Sequence, residues 1–149
     1  MTARTARVLP EVRPVIIRAA VMVPLAGTTV CAGFPSPADD FVEEAIDPAR
    51  LLIANPPATF LLRVAGESMR DAGIYDGDIL VVDRSLKPRH RDVVIVTVDG
   101  ERSVKRLLIE AGHAQLAFEH EGWPAYPVAE LADVEIWGVA TWNLHRLRS

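Results

Sequence analysis

Two residues of this chain, Ser68 and Lys105, are of types that together can perform nucleophilic chemistry. Ser68 stands in Gly66-Glu67-Ser68-Met69, directly after a predicted strand, where a hydroxyl and a backbone N–H can face solvent. Lys105 lies between apolar neighbours in another predicted strand, and burial of an ammonium group lowers its pKa. A neutral amine beside a serine hydroxyl can act as the general base that a histidine provides in other serine enzymes. The pair therefore predicts a nucleophilic serine that is activated by lysine.

The surroundings of Lys105 follow from the hairpin that contains it. Asp99-Gly100 is a strong signal for a two-residue turn. Such a turn pairs Val98 with Glu101, so that Val94 lies opposite Lys105. Side chains alternate between the faces of a hairpin, and the lysine face is predicted to carry Val94, Val96, Ser103 and Leu107. Taken separately, Ser68 also fits an ordinary surface serine, and Lys105 also fits an edge-strand lysine whose amine reaches water.

The elements that must position these residues are mostly strands. Short apolar or alternating runs between turn residues predict strands over 60–64, 79–82, 93–98, 103–109, 114–118 and 134–144. This spacing indicates a mainly β protein with a small, strongly bent antiparallel β domain. Before the first strand, Ser36-Pro37 and Asp47-Pro48 have the form of an N-cap followed by proline, and they predict two short helices. The first helix is predicted from the spacing of Phe41, Val42, Ala45 and Ile46, and the second covers 49–54.

The last predicted strand, 134–144, carries large apolar residues on both of its faces. Ile136 and Trp142 fall on one face, and Trp137 and Val139 fall on the other. As a free edge such a strand would promote aggregation. Two interpretations therefore remain open: the strand meets its copy in a two-fold homodimer, or it lies in the centre of the sheet.

Residues 1–32 differ from the rest of the chain in charge. Four arginines against one glutamate give this segment +3, so that the remainder carries −7 within a total of −4. Three prolines interrupt any helix there, and we expect an extended basic arm over 1–32 followed by a β domain over 33–149. Where they meet, Ala32-Gly33 provides a peptide bond between small residues in a linker. A secretory signal that ends at Ala32, in an exported protein, is an alternative interpretation.

Composition excludes several classes of protein. Half of the 149 residues are hydrophobic, which excludes an intrinsically disordered chain. The single cysteine, Cys31, excludes an intramolecular disulfide framework and argues against structural zinc, and we expect neither a metal nor an organic cofactor. No apolar run approaches the roughly 20 residues of a membrane span. The charge of −7 on the body disfavours direct DNA binding.

Four motifs occur together in the chain. They are Cys31-Ala32-Gly33-Phe34-Pro35-Ser36-Pro37-Ala38, Gly66-Glu67-Ser68-Met69, Gly77-Asp78-Ile79-Leu80-Val81-Val82-Asp83 and Val104-Lys105-Arg106-Leu107. With these motifs in family order, the chain resembles the UmuD family from about residue 31 to about residue 139. The resemblance implies a fold of the LexA and signal-peptidase type. It also implies that Ser68 is the nucleophile and Lys105 the general base, that the Ser68 and Met69 N–H groups form an oxyanion hole, and that Ala32-Gly33 is cleaved.

The same resemblance implies a biological role in the bacterial SOS response. Members of the UmuD family cleave themselves when stimulated by the RecA–single-stranded DNA filament. The shortened form then joins UmuC as an accessory subunit of an error-prone translesion DNA polymerase. For this chain the resemblance therefore implies a cytoplasmic homodimer that loses residues 1–32 on activation.

Two departures from the family pattern affect these expectations. UmuD itself has Cys-Gly at the cleaved bond, whereas here Ala32 separates Cys31 from Gly33, so we expect cleavage after Ala32, as in LexA. Arg91-Asp92 stands where the family commonly has Gly-Asp, which affects the turn before the hairpin.

Other members of the same clan fit less well. A LexA-type repressor needs a helix-turn-helix domain of roughly 60 residues before the linker, but only 32 residues precede Gly33. A signal peptidase needs a membrane anchor. Two classes of function remain: a self-cleaving serine peptidase, and a non-cleaving interaction module of the same fold.

Overall fold

The computed structural model describes residues 19–27, 29–34, 42–122, 125–127 and 134–149. The chain divides into two compact units, Met1–Ala49 and Arg50–Ser149. In the first unit, β1 (Val23–Ala26) pairs antiparallel with β2 (Val42–Ile46). A short helix, α1 (Pro48–Leu52), and a 3-10 turn (Pro56–Ala58) follow β2 in the chain.

The second unit is built on one antiparallel sheet of seven strands. In chain order these are β3 (Thr59–Arg63), β4 (Ile79–Asp83), β5 (Val93–Val98), β6 (Glu101–Glu110), β7 (His113–Ala117), β8 (Ala125–Pro127) and β9 (Val134–Leu144). Their order in the sheet is β3-β4-β9-β5-β6-β7-β8. The predicted class, a mainly β protein with an antiparallel domain, is confirmed. Within the described residues, no helix is long and apolar enough to span a membrane.

The second unit has two clusters of buried side chains, one on each face of β5. Ile95 points into the first cluster, and its neighbours Val94 and Val96 point into the second, as the period of two requires. The first cluster contains Val64, Met69, Ile74, Leu80, Val82 and Ile95. The second contains Val94, Val96, Leu107, Leu116 and Val139.

The position of β9 decides between the two interpretations of this strand. It pairs with β4 on one side and with β5 on the other, so it is central in the sheet and not a free edge. The interpretation of β9 as a free edge that meets its copy in a homodimer is therefore wrong. Val139 is only 5% exposed and belongs to the second cluster, so a charge at this position would unfold the domain and not merely separate two copies.

Two bulges bend β9 against its neighbours. The register with β5 passes from Gly138 to Ile136 and leaves out Trp137, and the register with β4 leaves out Thr141 in the same way. Bulges add bend and twist to a strand and redirect the extra side chain. Such bulges are a structural source for the strong bend that the sequence predicts for this domain.

We expect Gly138→Ala to destabilise the domain. A Cβ atom at residue 138 would lie 2.7 Å from Cγ1 of Val82, which is fully buried and has no room to move. Overpacking of this kind costs about 1–3 kcal/mol. Chemical denaturation of the purified variant measures the loss. Gly33→Ala is the matched control, because a Cβ at the exposed residue 33 meets no atom within 4 Å; equal stability of the two variants would contradict the prediction.

The prediction of the first helix is wrong for the residues that the structure describes. Val42–Ile46 is strand β2, because pairing with β1 prevails over the local signals for a helix. The cap at Ser36-Pro37 and the predicted position of Phe41 lie outside the described residues. The second predicted helix, over 49–54, is confirmed as α1, which covers Pro48–Leu52.

Candidate active site

The β5–β6 hairpin places Lys105 as the sequence predicted. Val98 pairs with Glu101 across the Asp99-Gly100 turn, and Val94 pairs with Lys105. Val94 and Val96 are fully buried, and Leu107 is 2% exposed. The lysine therefore emerges from a face of the hairpin that is aliphatic except for Ser103.

The amine of Lys105 has three contacts. Nζ donates to the Ser103 Oγ and to the Val104 carbonyl oxygen, the latter at 3.0 Å, and it lies 4.3 Å from the centre of the Phe118 ring. The oxygen acceptors and the ring face favour the charged amine. Burial has the opposite effect and lowers the pKa of Lys105 below its usual value. The neutral amine is thus more common near neutral pH than for an exposed lysine.

The Ser68 loop joins the end of β3 to a 3-10 turn (Arg70–Ala72). Gly66 has a φ of +92°, a backbone conformation that a residue with a Cβ atom rarely adopts. Its N–H donates to the Asp76 Oδ1 at 2.8 Å, which anchors the loop on one side of the serine. On the other side Met69 is 2% exposed and fixes the loop in the first hydrophobic cluster.

Ser68 and Lys105 lie in neighbouring cavities. Ser68 lines a cleft of about 250 Å³, together with β3, Ile95 and Val104. Lys105 lines the next cavity with Phe118. Arg102 and Ser103 line both cavities and so mark the place where they meet. No hydrogen bond joins Ser68 to Lys105 within the part of the chain that the structure describes, and the Lys105 amine is bonded to Ser103 instead.

The segment after β7 links the two cavities. The Glu119 N–H donates to the Ser68 carbonyl oxygen at 3.0 Å, and the Glu119 carbonyl oxygen accepts from the Asp71 N–H at 2.7 Å. The preceding residue, Phe118, contacts the Lys105 amine. A salt bridge of 2.7 Å between Arg106 and Glu119 fastens this segment to β6. Residues 118–119 thus hold the serine loop against the lysine strand.

This linking segment and the contact of Ser103 with the Lys105 amine were not predicted from the sequence. Ser103 could have been found, because it lies two residues before Lys105 on the same face of β6. The approach of Glu119 to Ser68 has no local signal, since it depends on the path of the chain after β7.

The predicted oxyanion donors are the N–H groups of Ser68 and Met69. Neither N–H donates to another residue among those described. Both belong to the loop that lines the cleft, next to the Ser68 side chain.

The predicted cleavage site lies in the first unit. Cys31, Ala32 and Gly33 are all exposed and belong to the connection between β1 and β2. Residues 35–41, which follow them, lie outside the described residues. In the described part of the chain, no group of three or more His, Cys, Asp or Glu side chains is placed to hold a metal ion.

Comparison with known sequences identifies the family. A sequence model described as Peptidase S24-like matches residues 24–141, which is most of the chain. This chain belongs to the Peptidase S24-like family. It is 42% identical over 142 residues to Protein SamA of Salmonella typhimurium, covering 95% of this chain and 96% of that protein.

Further relatives support the same S24 membership. Protein ImpA of Escherichia coli is 44% identical over 125 residues, covering 84% of this chain and 85% of ImpA. The LexA repressor of Teredinibacter turnerae is 38% identical over 128 residues, which are 86% of this chain and 58% of the repressor. The resemblance to UmuD-like and LexA-like proteins is thereby confirmed.

Proposed function

We propose that this S24 protein is a serine endopeptidase that cleaves its own Ala32–Gly33 bond, with Ser68 as nucleophile and Lys105 as general base. The observation that carries the proposal is the placement of Ser68 in the loop after β3, beside a cavity that holds a lysine whose pKa is lowered by burial. The segment 1–32 is then the part removed, and 33–149 is the mature protein.

The reaction is an acyl transfer in two steps. Neutral Lys105 takes the proton of the Ser68 hydroxyl while Oγ attacks the Ala32 carbonyl carbon. The Ser68 and Met69 N–H groups stabilise the negative oxygen of the tetrahedral intermediate. The protonated lysine then gives its proton to the Gly33 nitrogen, and the carbon–nitrogen bond breaks. Water, activated by the same amine, hydrolyses the Ala32 ester and frees Ser68.

The Lys105 amine must turn from Ser103 toward Ser68 to take the proton of the Ser68 hydroxyl. Lysine has four rotatable side-chain bonds, and Ser103 stands where the two cavities meet. Hydrogen bonds of a catalytic pair often tighten only when the substrate is bound. The Ser103 hydroxyl therefore serves as the resting partner of the Lys105 amine and holds it near the Ser68 cleft.

The size of the cleft agrees with the predicted bond. Pockets for drug-sized ligands enclose roughly 300–1,000 Å³, whereas the Ser68 cleft encloses about 250 Å³. Small residues on both sides of the bond, Ala32 and Gly33, suit such a space. A large or charged residue at either position would clash with the walls or lose its hydration.

In the cell, we propose that the RecA–single-stranded DNA filament stimulates this cleavage. The processed protein then acts as a homodimeric accessory subunit of a UmuC-type, error-prone translesion polymerase. Support comes from the likeness to SamA and ImpA over most of the chain and from the UmuD-like motifs. A partner that holds the linker at the cleft would raise the rate without adding a catalytic group.

A second candidate is a non-cleaving interaction module of the same fold. The observation in its favour is the Lys105 amine, which is bonded to Ser103 and not to Ser68. The two candidates differ in whether the full chain is ever shortened.

The test is to incubate the purified full chain at alkaline pH, and separately with RecA, single-stranded DNA and a nucleotide analogue. We expect intact-mass measurement and N-terminal sequencing to show a product that begins at Gly33. Gly33→Glu should block its formation. A product beginning at Ala32 would contradict the placement of the bond, and a wild-type chain that stays intact under both conditions would favour the interaction module.

A further inference from the structure

The end of β9 is tied to a buried carboxylate that the proposed mechanism does not use. Asp78 is 3% exposed, and its Oδ1 lies 2.6 Å from the His145 Nδ1. Its Oδ2 accepts hydrogen bonds from the Asn143 side-chain amide at 2.8 Å and from the Tyr75 N–H at 2.9 Å. The His145 ring also packs on the Tyr75 ring, with centres 5.1 Å apart. A buried carboxylate persists only with partners of this kind.

The charge of Asp78 is maintained by these contacts. Burial alone would raise the pKa of the Asp78 carboxyl. Hydrogen bonds from Tyr75, Asn143 and His145 outweigh burial and hold that pKa below its usual value. The carboxylate is therefore ionised at neutral pH and attracts donors from the end of β9.

The turn that contains Asp78 also holds the Ser68 loop. The Asp78 carbonyl oxygen accepts from the Val64 N–H at 2.8 Å, and the Gly77 N–H donates to the Val64 carbonyl oxygen at 2.8 Å. In the same turn, Asp76 accepts from the Gly66 N–H. These bonds fix the chain two to four residues before Ser68.

The end of β9 also binds the chain on the other side of Ser68. The Asn143 amide donates to the Gly73 carbonyl oxygen at 3.0 Å. Gly73 closes the 3-10 turn that begins directly after Met69. The serine loop therefore lies between two attachments, one to the turn around Asp78 and one to Asn143, which itself donates to Asp78.

We propose that His145 is a positioning residue that acts through Asp78 to hold the Ser68 loop in its reactive geometry. The proposal rests on the function proposed above. His145 touches neither Ser68 nor Lys105, and it fastens the end of the last strand to the turn that supports the nucleophile. A displacement of about 1 Å at a reacting group can cost on the order of a hundredfold in rate.

The test compares two substitutions in the full chain. His145→Phe keeps a ring against Tyr75 but loses the donor to Asp78, whereas His145→Gln keeps a donor. We expect His145→Phe to lower the rate of self-cleavage at alkaline pH about tenfold, and His145→Gln to restore most of it. The pH midpoint of the rate, which Lys105 sets, should be the same in both variants and in the wild type.

A matched control is His113→Phe, which replaces another exposed histidine, in the β6–β7 hairpin. It should cleave at the wild-type rate, and circular dichroism should show that all variants are folded. A wild-type rate in His145→Phe, or an equal loss in His145→Gln, would overturn the proposal.

Amide hydrogen exchange separates this proposal from the proposed function. The Gly66 N–H and the Glu119 N–H, which donate to Asp76 and to Ser68, report on the loop without any cleavage. Faster exchange at both positions in His145→Phe supports the positioning role even if the wild type never cleaves, a result that would contradict only the proposed function. Unchanged exchange at both positions would overturn the positioning role.

Discussion

Ser68→Ala is expected to abolish cleavage of the Ala32–Gly33 bond in the full chain. Removal of the nucleophile from a serine peptidase lowers the rate by at least about 10⁴-fold, which here means no detectable product. The fold should be retained, because the Ser68 hydroxyl bonds no other residue in the described part of the chain. Intact mass followed over time at alkaline pH measures the effect.

Ser85→Ala is the matched control for this experiment. Ser85 lies outside both cavities and bonds to Asp83 and Asn55. We expect this variant to produce the Gly33 product at close to the wild-type rate. A Ser68→Ala chain that is processed as fast as Ser85→Ala would contradict Ser68 as nucleophile.

Lys105→Arg is expected to abolish cleavage as well, although the charge and length of the side chain are largely kept. A guanidinium stays protonated at every accessible pH and cannot accept the Ser68 proton. In the wild type the rate should rise about tenfold per pH unit below the pKa of Lys105 and then level off. Because burial lowers that pKa, the plateau should begin below the usual lysine value of about 10.4.

Stability responds to the Lys105 proton at higher pH than the rate does, above the pKa of Lys105 in the folded protein. The folded protein binds the Lys105 proton less tightly than the unfolded chain does. Burial of the charged amine therefore lowers the free energy of unfolding at any pH below the pKa that Lys105 has in the folded protein. This loss is relieved as the pH rises from that pKa to the pKa of Lys105 in the unfolded chain. A rising rate is then not a sign of unfolding. A rate that is flat from pH 6 to about pH 10 would contradict a lysine base.

The environment of Lys105 could be predicted from sequence because local rules determine it. A two-residue turn at Asp99-Gly100 sets the register of the hairpin, and the alternation of side chains then sets the neighbours of the lysine. The bounds of β9, Val134–Leu144, also agree with the apolar pattern. In each case the signal lies within a few residues of the feature that it predicts.

What sequence could not supply depends on contacts between distant segments. The strand β2 has the apolar spacing of a helix and is a strand through its pairing with β1. The strand β9 is apolar on both faces because its side chains join both hydrophobic clusters, and its place between β4 and β5 is a fact about sheet order that no local pattern contains. The bond from Glu119 to Ser68 joins residues 51 positions apart. The site is thus predictable in its residues but not in the segment that holds them together.

The pairing of β1 with β2 would give the proposed cleavage a second stage. The Ala32–Gly33 bond lies in the connection between these strands, so its hydrolysis breaks none of the four residue pairs from Val23↔Ile46 to Ala26↔Val42. It does turn a hairpin into two separate chains, and the effective concentration that the connection provided is lost. Two strands alone are only marginally stable in water. The proposed hydrolysis is irreversible in water, whereas departure of the arm would be a reversible dissociation that dilution favours.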